Sequence, residues 1–265
     1  MRQGAPESRS RQVPAYELRR LVPQSTRYCV GLLVLNEDGR LHRQLGRMRD
    51  VAGLPDVLIA DGGSDDGSVD PDQLRKLGVS TLLIKTGPGA LSAQMRMLFA
   101  FALDEGYEGV VTMDGNGKDG VESIPEFVAA LTEGYDFVQG SRYVPGGVHH
   151  NTPLDRKLGV RFLHAPLLSL AARFRYTDTT NGFRAFSAEF LADARVDLFR
   201  DVFSNYNLHY YLSVKAPRLG FRVNEIPVRR EYPDDGPPPT KISGLKGKLG
   251  IMGELLGAVT GAYDP

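Results

Sequence analysis

Short apolar runs rich in β-branched residues alternate along the first 140 residues with longer stretches in which apolar positions recur every three or four residues. That alternation is the pattern of βαβ units on a parallel sheet. It predicts strands over 28–35, 56–60, 80–84, 109–113 and 136–140, with helices over 37–51, 70–77, 89–105 and 121–133 between them. The last of these helices opens with Glu122 and Pro125 in its first turns, where an acid and a proline suit an N-terminus. Past residue 140 the rhythm changes. Segments 154–175 and 205–219 read as helices, "FRVNEIPV" as a further strand, and "YPDDGPPPT" as a proline-rich loop that cannot join a sheet. The closing "ISGLKGKLGIMGELLGAVTGAY" alternates glycine with apolar residues and reads as a weak helix, packed on the core or facing a membrane.

Composition narrows this frame. A chain of 265 residues, 42% hydrophobic, can bury a sizeable core. With 32 basic and 32 acidic residues, the overall balance gives no reason to expect a nucleic-acid partner. Locally the signs separate: residues 104–126 carry seven acids and one base, whereas 142–184 carry seven bases and two acids. Cys29 is the only cysteine, which rules out internal disulfides and thiolate metal sites and fits a reducing cytoplasm. The first 27 residues hold six arginines and two glutamates without an apolar core, so they read as a flexible basic arm and not as a signal peptide. The uncharged apolar runs reach roughly half of the ~18 residues a membrane crossing requires, leaving peripheral contact as the expected membrane mode.

In an open α/β sheet, ligands bind beyond the carboxyl ends of the strands. Three loops there carry chemistry. "DGGSDDGS" places Asp61 directly at a strand end among glycines, and also reads as an Asp/Gly/Ser turn. "TGPGALSAQMR" puts Gly87 and Gly89 before a helix whose open N–H groups suit a phosphate. "MDGNGKDGVESIP" ends a strand at Asp114 and follows it with Asn116, Lys118 and Asp119, while Gly115 and Gly117 keep side chains out of a ligand's way. One carboxylate and one amide oxygen are what a hard divalent cation takes from protein when a diphosphate supplies other ligands.

Taken in order, "LVLNEDG", "IADGGSDDGS", "MDGNGKDGVESIP", "QGSRYVPGG", "TNGFRAFS" and "GFRVNEIPV" resemble the family 2 glycosyltransferases of GT-A fold, especially polyprenyl-phosphate sugar synthases, over about residues 28–245. The resemblance implies an α/β, Rossmann-like, mostly parallel sheet flanked by helices, with a C-terminal helical and proline-rich extension. It divides the chain into the arm at 1–27, a glycosyltransferase domain at 28–240 with a nucleotide-sugar half up to 140 and an acceptor half after it, and a helical segment at 241–265. It implies inverting transfer of a hexose from a nucleotide diphosphate sugar, assisted by Mg²⁺ or Mn²⁺, to a polyprenyl phosphate. A small soluble acceptor in secondary-metabolite or polysaccharide assembly is the alternative, and a catalytically silent nucleotide-sugar binding protein is a third reading. By the same resemblance Leu35, Asn36, Glu37 and Asp61 approach the nucleoside and Asp114 is the first acid of the metal motif, with Asn116 at its second position; Gly87, Gly89 and Gly115, read from their glycine-rich loops, are expected to line the donor. Arg142 and Arg184 match positions near pyrophosphate and acceptor, and Asp178 is the nearest candidate for a catalytic carboxylate. A phosphate acceptor is already ionised and requires no general base, whereas a hydroxyl would require one such as Asp178.

The departures are Gly62 for a second loop aspartate, Asn116 for the second metal acid, and Lys118 in place of a glutamine. They imply either a metal held more weakly than in the family or Lys118 supplying part of the charge directly on the phosphates, with Asp119 as a candidate compensating ligand. His149 and His150 read as acceptor-positioning or incidental loop residues, His164 and His209 as core or groove histidines, and Tyr206, Tyr210 and Tyr211 as packing. Arg156, Lys157 and Arg161 read either as a lipid-phosphate contact or as a solvated face. The expected location is cytoplasmic or peripheral at a membrane, with a homo-oligomer compatible.

Overall fold

The computed structural model describes residues 10–232 and 244–265, with the side chains of 155, 156, 244–246 and 248 outside that description. An eight-stranded sheet organises the chain: Tyr16–Arg20 (β1), Tyr28–Val34 (β2), Asp56–Asp61 (β3), Val79–Lys85 (β4), Gly109–Asp114 (β5), Phe137–Ser141 (β6), Arg184–Ser187 (β8) and Val223–Pro227 (β9), in the order β1-β4-β3-β2-β5-β8-β6-β9. Val148–His150 (β7) and Arg229–Glu231 (β10) pair separately and in parallel. The strands β4-β3-β2-β5 are mutually parallel, so the chain winds outward from β2 to β4 and then returns to β2's other side. The three expected loops follow the carboxyl ends of β3, β4 and β5, the edge of the sheet where this winding reversal places a ligand site.

Helices Gly39–Met48 (α1), Pro71–Lys76 (α2) and Ile124–Thr132 (α4) bury Leu41, Leu45, Leu74 and Phe127 against one face. Leu91–Asp104 (α3), Ala188–Ala192 (α7) and Asn207–Arg218 (α8) cover the other with Leu98, Phe99, Phe190 and Leu208. Gly31 makes the approach of α3 possible, since a Cβ there would stand 2.3 Å from Leu98. Helices Leu154–Gly159 (α5) and Ala165–Ala172 (α6) are joined through a π-helical turn at Val160–His164. Gly244–Thr260 (α9) sets Leu255 and Ala258 against Leu168, Tyr210 and Val214.

The arm reading is corrected over its described part. β1 pairs antiparallel with β4 at the sheet edge, and Ser25 and Thr26 both donate to the Asp56 carboxylate, so residues 16–26 belong to the domain. Polar alternation hid β1, because its outer positions are arginine and glutamate on an exposed edge. β8 was equally hidden: it is four residues long and lies antiparallel between β5 and β6. The expected proline-rich loop lies, past Tyr232, outside the described residues.

Candidate active site

The loop after β5 is fixed from beneath by α1. Gln44 donates its amide to the Asp114 carbonyl at 2.9 Å and accepts from Gly117 N–H at 2.7 Å. Gly115 is forced by packing, because a Cβ would meet Val34 at 2.7 Å. On the neighbouring strands Gln94, from α3, ties the Val34 and Ala60 carbonyls together at 2.7 and 3.1 Å. Neither glutamine has a signature in sequence, since a buried amide in a helix looks like any polar position.

Asp114 then projects from the strand end with 27% of its side chain exposed. Its Oδ2 accepts from Asn116 Nδ2 at 3.1 Å and from Arg230 Nη2 at 2.9 Å. Arg230 is the site residue that sequence reasoning missed. It lies 116 positions away, on a strand too short to announce itself. The strand is stitched to the Asp114 loop by Glu231 N–H donating to the Lys118 carbonyl and Gly120 N–H donating to the Arg229 carbonyl, both at 2.9 Å. Arg230 Nη1 also contacts both oxygens of fully buried Asp119, at 2.6 and 2.7 Å. Asp119 is therefore Arg230's anchor and not a supplementary metal ligand.

Burial alone would raise the Asp114 pKa, but the charges of Arg230 and Lys118 outweigh it and hold the carboxyl below its ordinary value. Asp119 goes the other way: burial dominates and pushes its carboxyl up in spite of Arg230. Lys118 is buried, its ammonium 5.2 Å from the Tyr232 ring, and burial together with Arg230 lowers its pKa. His209 stands close enough to feel Asp114 and Arg184, and burial followed by Arg184's charge pushes it down to about 3. It is neutral, which fits the core-or-groove reading.

Other expected site residues have partners within the protein. Gly87 N–H donates to the Ala15 carbonyl at 2.8 Å, and the start of α3 is closed by Ser204 and Asn205 carbonyls accepting from Ala90 and Ser92 N–H at 2.8 and 2.7 Å. Gly89 takes φ +97° in this turn, a conformation glycine alone adopts freely. The phosphate cradle expected there is thus filled by the protein's own backbone. Asp61 is fully buried and organises its own turn, accepting from Gly63 and Ser64 N–H at 2.9 Å each and from Ser64 Oγ at 2.5 Å. Asn36 joins that turn by accepting from Asp65 N–H at 3.0 Å, Glu37 pairs with Arg40 at 3.3 Å, and Leu35 is exposed.

Arg142 and Asp178 do meet, but face each other. Arg142 Nε and Nη2 donate to the two Asp178 oxygens at 2.6 and 3.0 Å, with Asp178 fully buried. The pair holds Asp178 ionised, its pKa lowered against the pull of burial by Arg142, so it is no candidate base. Arg184 is also buried, donating to the carbonyls of Asn181, His209 and Thr179 at 2.8–2.9 Å. It clamps the "TNGFR" turn to α8 and does not reach for pyrophosphate. Burial pushes its pKa down to about 10.

Among the described residues no group of three or more His, Cys, Asp and Glu side chains is placed to hold a metal ion. The Asp114 site still fits a cation shared with a diphosphate. Asp114 supplies a carboxylate and Asn116 an amide oxygen, which in this structure accepts from the Lys118 N–H at 3.2 Å, while Gly182 backs Asp114 Oδ1 so closely that a Cβ there would stand 3.1 Å away.

A second feature lies past the carboxyl end of β6. Tyr143, His149, Lys157, Arg161, Arg175 and Thr177 line a groove of about 600 Å³. His149 is the β7 ladder partner of Arg230, so groove and Asp114 loop are neighbours. The outer side of the α5–α6 segment exposes Leu154 (69%), Phe162 (70%) and Leu170 (78%). Arg156's side chain lies outside the described residues. No helix among the described residues is long and apolar enough to cross a membrane.

A winding reversal in a mostly parallel sheet, with an Asp-x-Asn loop at the carboxyl ends of its strands, is an architecture shared by nucleotide-sugar-dependent transferases. Comparison narrows the class. No family model matches the chain. It is 31% identical over 230 residues to undecaprenyl-phosphate mannosyltransferase of Micrococcus luteus, covering 85% of this chain and 89% of that one. It is 29% identical over 206 residues to polyprenol monophosphomannose synthase of Mycolicibacterium smegmatis, covering 73% of each. Among solved structures, glucosyl-3-phosphoglycerate synthase of Mycobacterium tuberculosis with phosphoglyceric acid superposes with a TM-score of 0.60 at 18% identity, covering 88% of this chain and 80% of that one. The same enzyme with Mn²⁺, UDP and its product gives 0.57 at 17% identity, with 88% and 78% covered. The chain belongs to the family 2 glycosyltransferases of GT-A fold, with these two enzymes among its relatives.

Proposed function

We propose that the protein transfers a hexose, with inversion, from a nucleotide diphosphate sugar to a polyprenyl phosphate. The observation that carries the acceptor choice is the state of Asp178. The carboxylate read as the nearest candidate base for a hydroxyl acceptor is buried and locked onto Arg142. A phosphate acceptor needs no such base: its oxygen forms the bond to the anomeric carbon as the bond to the diphosphate breaks, and no proton moves. The cationic groove suits an anionic headgroup, and the apolar side chains outside it suit the lipid that carries the headgroup. The two named relatives act on polyprenyl phosphates, which supports the same acceptor class here.

Asp114 and Asn116 would hold a divalent cation, Mg²⁺ or Mn²⁺, which supplies charge neutralisation at the departing diphosphate. Lys118, from the same loop, adds a second positive charge on that side. Asn36, Glu37 and Leu35 border the nucleoside end, with the Asp61 turn holding them in place, and residues 28–140 and 141–240 form the donor and acceptor halves. Catalysis at a membrane surface follows from the acceptor, by peripheral docking of the α5–α6 face.

The test incubates the full chain with labelled UDP-, GDP-, CDP- and dTDP-sugars, Mn²⁺, and liposomes with or without undecaprenyl phosphate. Label should enter the organic phase only with the lipid phosphate, and replacing Phe162 and Leu170 by serine should cut liposome sedimentation several-fold. Transfer to a soluble acceptor, or donor binding without transfer to any acceptor, would replace this reading with one of its alternatives.

A further inference from the structure

Arg230 occupies a position that a bound cation would contest. Its Nη2 shares Asp114 Oδ2 with Asn116, while its Nη1 is held by both oxygens of Asp119. The two carboxylates differ in surroundings: Asp119 is fully buried, whereas Asp114 keeps 27% of its side chain exposed. The backbone ladder that ties Glu231 to Lys118 and Arg229 to Gly120 keeps the arginine at this station. One guanidinium thus has a fully buried partner and a partly exposed one.

We infer that Arg230 is a resident counter-cation of the Asp114 site, which must give up Asp114 before a divalent cation binds, so that the cation binds well only together with a diphosphate. A guanidinium and a divalent ion on the same carboxylate repel each other, and the Lys118 ammonium adds to that repulsion. A diphosphate reverses the balance. It brings the negative charge that lets both cations stay, and its oxygens can accept from the Nη2 that Arg230 withdraws from Asp114. Asp119 keeps Nη1 during the exchange, so the arginine stays in the site and serves the leaving group. Ordered binding follows from the arrangement: cation and donor enter together, and the ion does not remain once the nucleotide diphosphate has left.

The inference rests on Asp114 as a cation ligand, as read under Proposed function, and its test contains neither sugar donor nor acceptor. Mn²⁺ alone is titrated into the full chain and followed by electron paramagnetic resonance, comparing the parent, Asp119→Asn, and the double substitution Asp119→Asn with Arg230→Met. Removing both members of the pair avoids leaving a buried charge uncompensated. The double variant should bind Mn²⁺ at least tenfold more tightly than the parent, and Asp119→Asn alone should bind no better than the parent, because Arg230 is still on Asp114. Arg230→Lys provides a second route if the double variant does not fold: one ammonium cannot bridge both carboxylates, so Mn²⁺ affinity should rise several-fold. Equal affinity of parent and Arg230 variants, whether tight or undetectable, overturns the inference, as does a gain in Asp119→Asn that matches the double variant. A failed acceptor assay with these binding results intact would overturn only the reading of the acceptor.

Discussion

Among the described residues, the Arg142–Asp178 pair and the Arg230 centre with Asp114 and Asp119 are both buried arginine–aspartate clusters, and they are built for opposite purposes. At Arg142–Asp178 each oxygen of the acid meets a guanidinium nitrogen, Thr180 takes a further donor, and exposure of the two side chains is 4% and 0%. At Arg230 one guanidinium is divided between a buried acid and a partly exposed one. The closed pair has no capacity left for a ligand. The divided pair carries two acids, an arginine and a lysine within one loop system, and has an exposed edge where charge can be exchanged. A buried ion pair is therefore a poor guide to function by itself; what marks the site is the carboxylate whose partner is shared.

The largest expected effect breaks the comparison at the open centre. Asp114→Ala should lower sugar transfer roughly 1,000- to 10,000-fold, the several kcal/mol of a lost cation site, while the melting midpoint stays near the parent's because Arg230 retains Asp119. Initial rates and a melting curve on the same preparation measure both. Parental turnover with a parental response to Mn²⁺ would reduce the loop to a surface turn.

The next effect belongs to the closed centre and falls on stability. Asp178→Asn leaves Arg142 buried without its counter-charge, which costs about 3–5 kcal/mol of folding free energy. The pH dependence gives the sign. Asp178's carboxyl lies below its ordinary value, against burial, because of Arg142. Its contribution is thus complete above the unfolded carboxylate pKa of ~3.9 and is lost as pH falls through the lower folded value. Urea unfolding at pH 7 and below pH 4 should therefore show the gap between parent and variant narrowing in acid. A variant that folds as stably as the parent but does not turn over would restore Asp178 as a catalytic group.

Third in size is Lys118→Ala, which should slow transfer by roughly 100-fold, the ~3 kcal/mol of one electrostatic donor, without abolishing the response to Mn²⁺. Its signature is separable from Asp114's: rate against Mn²⁺ concentration keeps its midpoint and loses its plateau.

The contrast between the centres also explains what sequence could show. The alternating runs place β2, β3, β4, β5 and β6 within a residue or so, because each is buried and carries a local apolar signal. From there the rim loops follow, and with them Asp114 and Asn116. The partners of charged residues do not follow, because pairing is a property of the fold. Nothing local says that Asp178 faces Arg142 rather than a substrate, that Arg184 spends its donors on three carbonyls, or that the N–H groups before α3 are covered by residues 204–205. Arg230 was hidden for the same reason. The arginine sits in "VRREY" like any exposed charge, and only the pairing of β10 with β7 and its bridge to the Asp114 loop bring it inside.

The smallest effect sharpens the comparison at a single atom. Asn116→Asp replaces a neutral oxygen ligand by an anionic one, and it removes the Nδ2 donor that now contacts Asp114 Oδ2 at 3.1 Å. In an isolated site the added charge would tighten a divalent cation considerably. Here it also strengthens the hold of Arg230 and Lys118 on the same loop, so the resident cations take up part of the gain. The expected result is a modest tightening of Mn²⁺, about three- to tenfold or roughly 1 kcal/mol, when a nucleoside diphosphate is present to draw the arginine away. Without nucleotide the tightening should be smaller still, because the new acid is then paired internally. Mn²⁺ titrations of the variant with and without UDP measure the two numbers. An equal gain in both conditions would mean that Arg230 does not compete for the loop, and the open centre would be open for a reason other than its shared arginine.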